Sequence, residues 1–453
     1  MRSRNFRELL LKEWRELIAS RAYWLLLLMI GPLVGQAFIT AINSYAEASG
    51  IGGGPAALAQ GLTPLDGILS PTFGAYDLAA TFLLPFVAIR LISAEKQSGA
   101  LKLMLQLPGS LNAKMIAKGL VILGGWLVAL TPGLLAIALW KSYGGHVYGP
   151  ETLNLLLGHL LRAMLSVGIA IAAAALAESA ASAAIVTLGF TVGSWALDFI
   201  ATGRGGWLQQ LANYTPTAAL RFFEQGLLRL STTLVMLAII VSSFAIAAIW
   251  LHTGRTLRQR LTGTVSVAAV LAGVMFGSAG MRTSWDLSEN RRNSFPAADE
   301  AALRQIREPL RITVILSPED PRLTDFEQNV LRKLRRNLAR LEVNYVATSQ
   351  TGLFENNEDH YGEIWYEMRG QKLMDRSTIE QVVLEQIYHL SGVTPPQQSE
   401  GSDFPGYPLS ARPKWAAGIF YAAWPLLVVL IWWRSRYSEV LSPKSNVQRP
   451  KST

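Results

Sequence analysis

The ionisable residues that could catalyse a reaction are few and follow no catalytic pattern. The sequence has no cysteine, which excludes disulfides, thiol catalysis and cysteine-bound zinc or iron–sulfur clusters. It contains no G-x-x-x-x-G-K-[ST] phosphate loop, no H-E-x-x-H zinc motif and no G-x-S-x-G nucleophile elbow. His360 follows two acidic residues, but a solvated loop explains it better than a metal site. We therefore predict that the chain is not an enzyme and has no catalytic residue, metal or cofactor of its own.

Two carboxylates are candidates for a different kind of chemistry, because they lie in apolar surroundings. Asp77 is near one end of the apolar stretch 73–94, and Asp198 directly follows the stretch 179–197. Ionisable residues inside a membrane are energetically costly and often mark a pathway for ions or polar substrates. Asp77 and Asp198 could therefore line a pathway that opens to the outside, or they could simply be hydrated at the interface.

The composition indicates that these apolar stretches cross a membrane. Hydrophobic residues make up 50% of the 453 residues, charged residues make up only 16%, and the mean hydropathy is +0.26. A soluble domain usually carries about 25% charged residues. Because a span takes about 20 apolar residues, we predict eight spans, at 22–42, 73–94, 119–140, 160–177, 179–197, 230–251, 261–281 and 415–433. Arg90 and Arg162 interrupt two of them near their ends, where a long side chain can reach the interface.

The distribution of positive charge predicts how the spans are oriented. The short segments assigned to the cytoplasm carry 18 Lys and Arg residues, and the short outer segments carry four, as the positive-inside rule requires. Both termini, including the tail 434–453, are then cytoplasmic, and the segment 282–414 is outside. The basic residues flank apolar segments instead of forming one soluble surface, so no nucleic-acid partner is expected. The expected location is the bacterial cytoplasmic membrane, with the lipid bilayer as a partner.

Three further patterns concern helices at or in the membrane. In residues 1–21, the apolar side chains at positions 6, 9, 10, 14, 17 and 18 share one helical face, which predicts an amphipathic elbow helix. The segment 203–227 is aromatic but too polar to cross, and predicts a re-entrant loop of two short helices. Gly273 and Gly277 have the spacing of a close contact between spans.

The most informative segment, about 94–112, connects the second and third predicted spans. Leu101, Leu105 and Leu107 give it a short apolar helix, which Pro108 ends. Such a helix, exposed to the cytoplasm, needs a surface that buries it. A partner protein is the favoured explanation, and packing on the chain's own bundle is the alternative.

This segment resembles the signature of type-2 ABC exporter permeases. The residues that carry the resemblance are Glu95, Lys96, Gly99, Leu101, Leu105, Leu107 and Pro108. The resemblance covers about residues 1–260 and implies a six-span permease core at 22–260. It implies that the segment 94–112 is a coupling helix on which a separate ABC ATPase docks, so that ATP and Mg²⁺ bind to the ATPase. It also implies that two permeases pair as a homodimer or pseudo-dimer.

The segment 282–414 has the pattern of a small soluble α/β domain followed by a linker. Its Pro, Gly, Ser and Gln content rises sharply after about residue 394, which indicates the linker. We predict helices with Ser294, Thr324 and Ser377 as N-caps. We predict strands at 310–316, 343–347 and 363–368. The predicted fold class is an α-helical polytopic membrane protein with a six-span core, two further spans and a small extracytoplasmic α/β domain.

The start of this domain carries a second resemblance. The sequence WDLSENRRNSFP, from Trp285 to Pro296, resembles the start of the extracytoplasmic component of gliding-motility-type ABC systems, in which an Asp-Leu-Thr motif follows a single span. The chain would then be a fusion of a permease with that auxiliary component.

Basic residues of the domain form a candidate docking surface. Arg332, Arg335 and Arg336 are predicted to point outward from a helix whose apolar face packs on the sheet. They form either a solvated face or a docking stripe for an extracytoplasmic acidic partner or lipid headgroups. We expect the permease subunit of an ATP-driven exporter of an unidentified substrate. The alternatives are a transmitter of force or signal to an extracytoplasmic partner and, less favoured, a membrane-bound enzyme.

Overall fold

Among the residues that the structure describes, eight helices are long and apolar enough to cross a membrane, which agrees with the predicted number of spans. The computed structural model describes residues 3–48, 63–100, 111–201, 211–212, 214–252, 254–317, 320–346, 360–396 and 415–441. The elbow helix α1 is Ser3–Ala19. The candidate spans are α2 (Arg21–Ala48), α3 (Leu65–Gln97), α4 (Ala113–Ser142), α5 (Gly149–Leu176), α6 (Ala180–Ala201), α8 (Leu230–Leu251), α9 (Leu257–Ala279) and α13 (Ala416–Arg436).

Two spans begin well before the predicted positions, and this changes the location of two charges. The helix α3 starts at Leu65 and α5 starts at Gly149. Asp77 and Arg162 therefore lie roughly 20 Å inside their helices, at 1.5 Å per residue. Both helices extend beyond the apolar stretches 73–94 and 160–177, in which the sequence places these charges near one end.

The elbow helix is separate from the first span, as predicted. It ends at Ala19, and the amide of Ser20 donates a hydrogen bond to the carbonyl oxygen of Leu17. The indole of Trp24, at the start of α2, donates to the carbonyl oxygen of Ile18 over 2.6 Å and fixes the bend. The helix α1 packs along the first half of α4, where Gly124 and Gly125 leave room for its side chains.

The last span packs on the first span through a pair of glycines that the sequence analysis missed. A Cβ atom at Gly31 would lie 2.0 Å from the ring of Trp424, and one at Gly35 would lie 2.2 Å from Phe420. The glycine pair that the sequence analysis singled out, Gly273 and Gly277, makes no such contact, because a Cβ atom at either position would meet nothing within 4 Å. Among the described residues, the glycine pair that allows two spans to approach closely is therefore on α2, facing α13. The pair on α9 has no such neighbour.

The C-terminal region folds into the small α/β domain that was predicted. Its four-stranded sheet has the order β4-β3-β5-β6, in which only β3 and β4 are parallel. The strands are β3 (Leu310–Val314), β4 (Leu341–Tyr345), β5 (Ile364–Met368) and β6 (Gln371–Asp375). The helices are α10 (Ala297–Leu303), α11 (the consecutive segments Pro321–Phe326, Glu327–Leu331 and Arg332–Asn337) and α12 (Glu380–Ser391). Side chains of β3, β5, α11 and α12 form the buried core.

Several details of the domain differ from the prediction. The strand β6 was missed, although Arg369 and Gly370 both have positive φ, as a two-residue hairpin turn requires. The predicted N-caps were wrong. The hydroxyl of Ser294 donates to Asp286, α11 begins four residues earlier with Asp320 as its cap, and α12 begins at Glu380 without a side-chain cap.

A second, two-stranded sheet joins the domain to the bundle. The strand β1 (Leu227–Arg229) precedes α8, and it pairs antiparallel with β2 (Ser284–Asp286) at the start of the domain. The short helix α7 (Pro216–Glu224) comes just before β1, and the side chain of Thr215 caps it. It is the part of the predicted re-entrant loop that the structure describes. We call the end of the bundle that carries α7 and the β1–β2 sheet the clamp end. We call the opposite end, where the segment 98–112 joins α3 to α4, the coupling end.

Candidate functional site

Five charged residues form a compact cluster at the coupling end, which we call the elbow ion cluster. It consists of Lys12, Glu13 and Glu16 on α1, Glu95 on α3 and Lys118 on α4. The Nζ atom of Lys118 lies 2.6 Å from Glu13 Oε2 and 3.0 Å from Glu95 Oε2. Lys12 completes the cluster from the solvent side, 2.8 Å from Glu95 Oε1 and 3.1 Å from Glu16 Oε1.

The centre of the elbow ion cluster is fully buried. The residues Lys118, Glu13 and Glu95 are 0%, 1% and 5% exposed. Buried charges of this kind are tolerated only when each has an opposite partner. The cluster therefore holds three elements in one arrangement, namely the elbow helix and the two helices that enter and leave the coupling segment.

The neighbouring Lys96 binds a fourth element. Its Nζ atom donates to the carbonyl oxygens of Ala174, Ala175 and Ala177, at 3.0, 3.3 and 2.7 Å. These carbonyls lie at the C-terminus of α5, where they lack helical partners and carry the negative end of the helix dipole. The helices α1, α3, α4 and α5 are thus attached to one another through the residues that flank the coupling segment.

Glu95 and Lys96, which were predicted to lie at the rim of the docking surface, both make contacts within the bundle. Glu95 is buried, and the ammonium group of Lys96 is bound to α5, so both residues hold the segment to the bundle from inside. Gly99 has a φ of +74°, a value that suits glycine and turns the chain sharply after α3. The predicted docking residues Leu101, Leu105, Leu107 and Pro108 lie outside the described residues.

Three carboxylates of the cluster are close enough to one another to share a cation. They belong to Glu13, Glu16 and Glu95. Their oxygens already contact the ammonium groups of Lys12 and Lys118, which supply positive charge at the place that a metal ion would occupy. The geometry therefore gives no support to a metal site here.

The two carboxylates predicted for a pathway each pair with an arginine. Asp77 Oδ1 lies 2.7 Å from Nε of Arg162, whose other nitrogens donate to Ser166 and Thr81 at 3.0 and 2.9 Å. Asp198 Oδ2 lies 2.6 Å from Arg221 on α7. Asp77 and Arg162 join the spans α3 and α5, while Asp198 and Arg221 join the span α6 to the short helix α7.

The end of α7 is held deep against α5. The amide of Asn154 donates to the carbonyl oxygen of Phe223, and the hydroxyl of Ser70 donates to that of Glu224. The ring of His159 is 1% exposed and lies 3.6 Å from the carboxylate of Glu224. Sequence analysis missed these contacts, although a histidine in an apolar span is itself a signal.

The α/β domain forms hydrogen bonds to the turn that follows α7, and we call these contacts the Gln225 clamp. The side chain of Asn293 donates to the carbonyl oxygen of Gln225 over 2.7 Å, and Arg292 donates to the same oxygen over 3.3 Å. Arg332 donates to the side-chain oxygen of Gln225 over 2.9 Å. Next to it, Gly226 has a φ of +76° and accepts from the amide of Leu287.

The predicted outward stripe of arginines is therefore wrong for two of its three members. Arg332 faces the bundle, where it also lies over the ring of Phe222. Arg336 donates to the carbonyl oxygen of Asn293, within the loop that forms the clamp. Only Arg335 is exposed, and it pairs with Glu327 at 3.3 Å.

These features define a multi-pass membrane protein whose coupling end resembles that of a transporter permease, and a comparison with known families identifies it. Residues 7–252 match the family described as ABC-2 family transporter protein. The match covers more than half of the chain, which therefore belongs to this family. The search of curated proteins and the search of solved structures found no match.

Membership of the family makes the chain the membrane-spanning permease component of an ABC transporter. Such a component is not itself the catalytic subunit, and the family implies an ABC ATPase partner. The matched range contains the elbow helix, the first six spans and the whole elbow ion cluster. The α/β domain lies beyond it.

Proposed function

We propose that the chain is the permease subunit of an ATP-driven exporter and that a separate ABC ATPase docks on its coupling segment. The observation that carries the proposal is the buried set of contacts between Lys118, Glu95 and Glu13. Because the two helices flanking the segment are fixed to each other and to α1, a push on the segment would move three helices together. Lys96 would pass the same movement to α5.

The proposed arrangement follows the charge distribution of the sequence. The coupling end and both termini face the cytoplasm, and the α/β domain is extracytoplasmic. Two permeases pair around one path, and Asp77 and Asp198 lie beside it. The ATPase binds ATP and Mg²⁺. A switch between two arrangements of the spans would move the substrate.

The docking step can be tested by co-purification of the ATPase with the tagged permease from its native membranes. Replacing both Leu101 and Leu105 with Asp should abolish co-purification, since charges would enter an apolar interface. The matched control is Leu257→Asp with Leu261→Asp, which places two charges at similar spacing on exposed positions at the start of α9. Equal recovery of the ATPase with both double variants would refute docking at this segment.

The orientation can be tested with single cysteines, since the chain has none. A membrane-impermeant thiol reagent should label Asn344→Cys, on β4, in intact cells. It should label Arg255→Cys, between α8 and α9, only after the cells are opened. The reverse pattern would overturn the proposed orientation.

A second function, transmission of force or signal to an extracytoplasmic partner, is favoured by the Gln225 clamp. The clamp ties the α/β domain to α7, which contacts α5 and α6, so movement of the spans would displace the domain. Hydrogen exchange of β1, β2 and the loop 287–294 should then depend on whether the ATPase carries ATP or ADP. Asn293→Ala with Arg332→Met, which removes a contact to the backbone and the contact to the side chain of Gln225, should remove that dependence while leaving the rate of ATP hydrolysis unchanged. Nucleotide-independent exchange in the unmodified complex would contradict force transmission.

A further inference from the structure

A cleft opens on the side of the bundle near the coupling end, between α2, α3 and α6. Its volume is about 480 Å³. Most of its walls are apolar or small, with Phe86 and Ile89 on α3, Ala22 on α2 and Ala184 on α6. The polar lining comes mainly from Arg90 and Ser93. We call it the Arg90 cleft.

Arg90 differs from Arg162, the other arginine that interrupts a predicted span. Arg162 is buried and pairs with Asp77, whereas Arg90 is exposed. In the part of the chain that the structure describes, no carboxylate lies within ion-pair distance of Arg90. Arg90 lines the cleft as an exposed basic residue.

The depth of Arg90 in its span suits the boundary between lipid headgroups and hydrocarbon. It precedes Gln97, the last residue of α3, by seven positions, which corresponds to about 10 Å along the helix. The headgroup region on each side of a bilayer is about 5–8 Å thick. A guanidinium group at this depth is unfavourable unless it meets water or an anion.

We propose that the Arg90 cleft binds one anionic phospholipid from the leaflet at the coupling end. The phosphate would accept hydrogen bonds from the planar guanidinium group, which matches phosphate geometry. One acyl chain would lie along Phe86, Ile89 and Ala184. A free phosphate would leave these apolar walls uncovered. A second copy of the chain would have to bring an anion, yet the exposed residues of α6 nearest the cleft include the apolar Ile185 and Val186.

The test compares lipid retention by the full-length protein. The protein is reconstituted in equal amounts of phosphatidylglycerol and phosphatidylcholine, and the lipids that remain after washing with detergent are counted by native mass spectrometry. Wild type should retain one phosphatidylglycerol with a preference of about fivefold, as expected for one basic residue near the surface. Arg90→Gln should abolish the preference. Arg258→Gln, which removes an exposed arginine at the start of α9, should keep it.

Three further measurements separate the lipid from other occupants. Ala184→Leu should reduce retention although it leaves the charge in place, because the side chain fills the cleft. Arg90→Lys, which keeps the positive charge, should show an intermediate preference. This second variant keeps the test valid if Arg90→Gln fails to fold. The proposal is overturned if Arg90→Gln retains the preference, if millimolar inorganic phosphate displaces the lipid completely, or if Ala181→Cys forms a disulfide between copies in native membranes. Each of these outcomes is independent of whether the protein transports a substrate.

Discussion

The two ends of the bundle hold their attached segments by different kinds of interaction. At the coupling end, the elbow ion cluster places Lys118, Glu13 and Glu95 out of contact with water. At the clamp end, the α/β domain is held by hydrogen bonds to the backbone and side chain of Gln225, by the short β1–β2 ladder and by the partly exposed ion pair of Arg292 with Asp66.

The difference has an energetic meaning. Removing one member of a buried ion network costs about 3–5 kcal/mol, because the remaining charge stays buried without a partner. A typical hydrogen bond contributes only about 0.5–1.5 kcal/mol. The coupling end should therefore lose its structure in one cooperative step. The clamp end should weaken in small steps and can be remodelled without unfolding the bundle.

The largest effect is expected for Lys118→Met. The substitution leaves the carboxylates of Glu13 and Glu95 buried without the ammonium group between them. We expect a loss of about 3–5 kcal/mol of stability, seen as a lower melting temperature of the purified protein in detergent. ATPase stimulation by the variant should be lost together with stability.

The control for this variant is Arg15→Met, which removes an exposed charge from the same elbow helix. It should leave the melting temperature unchanged within error. Combining Lys118→Met with Glu13→Gln and Glu95→Gln should restore part of the lost stability, since no uncompensated charge remains. If Lys118→Met and Arg15→Met melt alike, the coupling end is not the stronger of the two ends.

A smaller and more local effect is expected for Asp286→Ala at the clamp end. The carboxylate of Asp286 accepts hydrogen bonds from Ser288, Asn293 and Ser294 and thereby shapes the loop that holds Gln225. Bonds to a charged acceptor contribute about 1.5–3 kcal/mol. We expect faster proteolysis after Arg291 with an unchanged melting temperature of the bundle. A variant that melts as early as Lys118→Met would remove the distinction between the ends.

The two ends should also respond to opposite extremes of pH. A hydrogen bond from Arg322 lowers the pKa of Asp320, in the α/β domain, to about 2. The stability that this carboxylate contributes is present above its ordinary pKa near 4 and is lost as the pH falls towards 2. Burial alone would lower the pKa of Lys12, but its hydrogen bond to Glu95 and the charge of Glu13 raise it. That contribution is present below the ordinary pKa of lysine and is lost as the pH rises past it.

Fluorophores on Asn344→Cys and Arg7→Cys can report the two ends separately. The first should show the acid transition and the second the alkaline transition, each worth about 1 kcal/mol or less, because both groups are partly hydrated. Asp320→Asn should flatten the acid response alone, and Lys12→Met the alkaline response alone. A single transition shared by both reporters would contradict separate titration of the ends.

The smallest effect is expected for Arg335→Ala. This arginine is exposed and pairs with Glu327, so its contribution should be about 0.2–1 kcal/mol and should vanish in high salt. Arg332→Ala should weaken the clamp more, because Arg332 contacts Gln225 and the ring of Phe222. Thermolysin cleavage of the loop 287–294 would measure both variants. Equal cleavage would mean that the two arginines do belong to one outward stripe.

The sequence predicted the eight spans because transfer into lipid depends mainly on local hydropathy. It predicted the order of the strands and helices in the α/β domain, apart from β6, for a similar reason, since each of these elements carries its own periodicity. The pairing of charges could not be predicted, because Glu13, Glu95 and Lys118 are brought together only by the packing of three helices. One signal was present, as Glu13 lies on the apolar face of the elbow helix, three residues from Leu10 and four from Leu17.

The mistakes also have physical causes. Arg332 and Arg336 were expected to point outward because a helix shows which side is apolar but not what covers its polar side. The ladder β1–β2 has only three residues in each strand, too few to produce a periodic pattern. The glycine pair on α2 was overlooked because small residues indicate a close contact only when the facing aromatic rings are known.

The contact between the first and last spans sets a requirement on the order of synthesis. The indole of Trp424 donates to the carbonyl oxygen of Leu27 across 397 residues of sequence. At about 5–20 residues per second, the ribosome takes tens of seconds to deliver α13 after α2 has entered the membrane. During that interval the surface of α2 at Gly31 and Gly35, which α13 later covers, faces lipid or the insertion machinery. The bundle is therefore completed only after α13 has been synthesised, and a chain that lacks α13 would leave the surface of α2 at Gly31 and Gly35 uncovered.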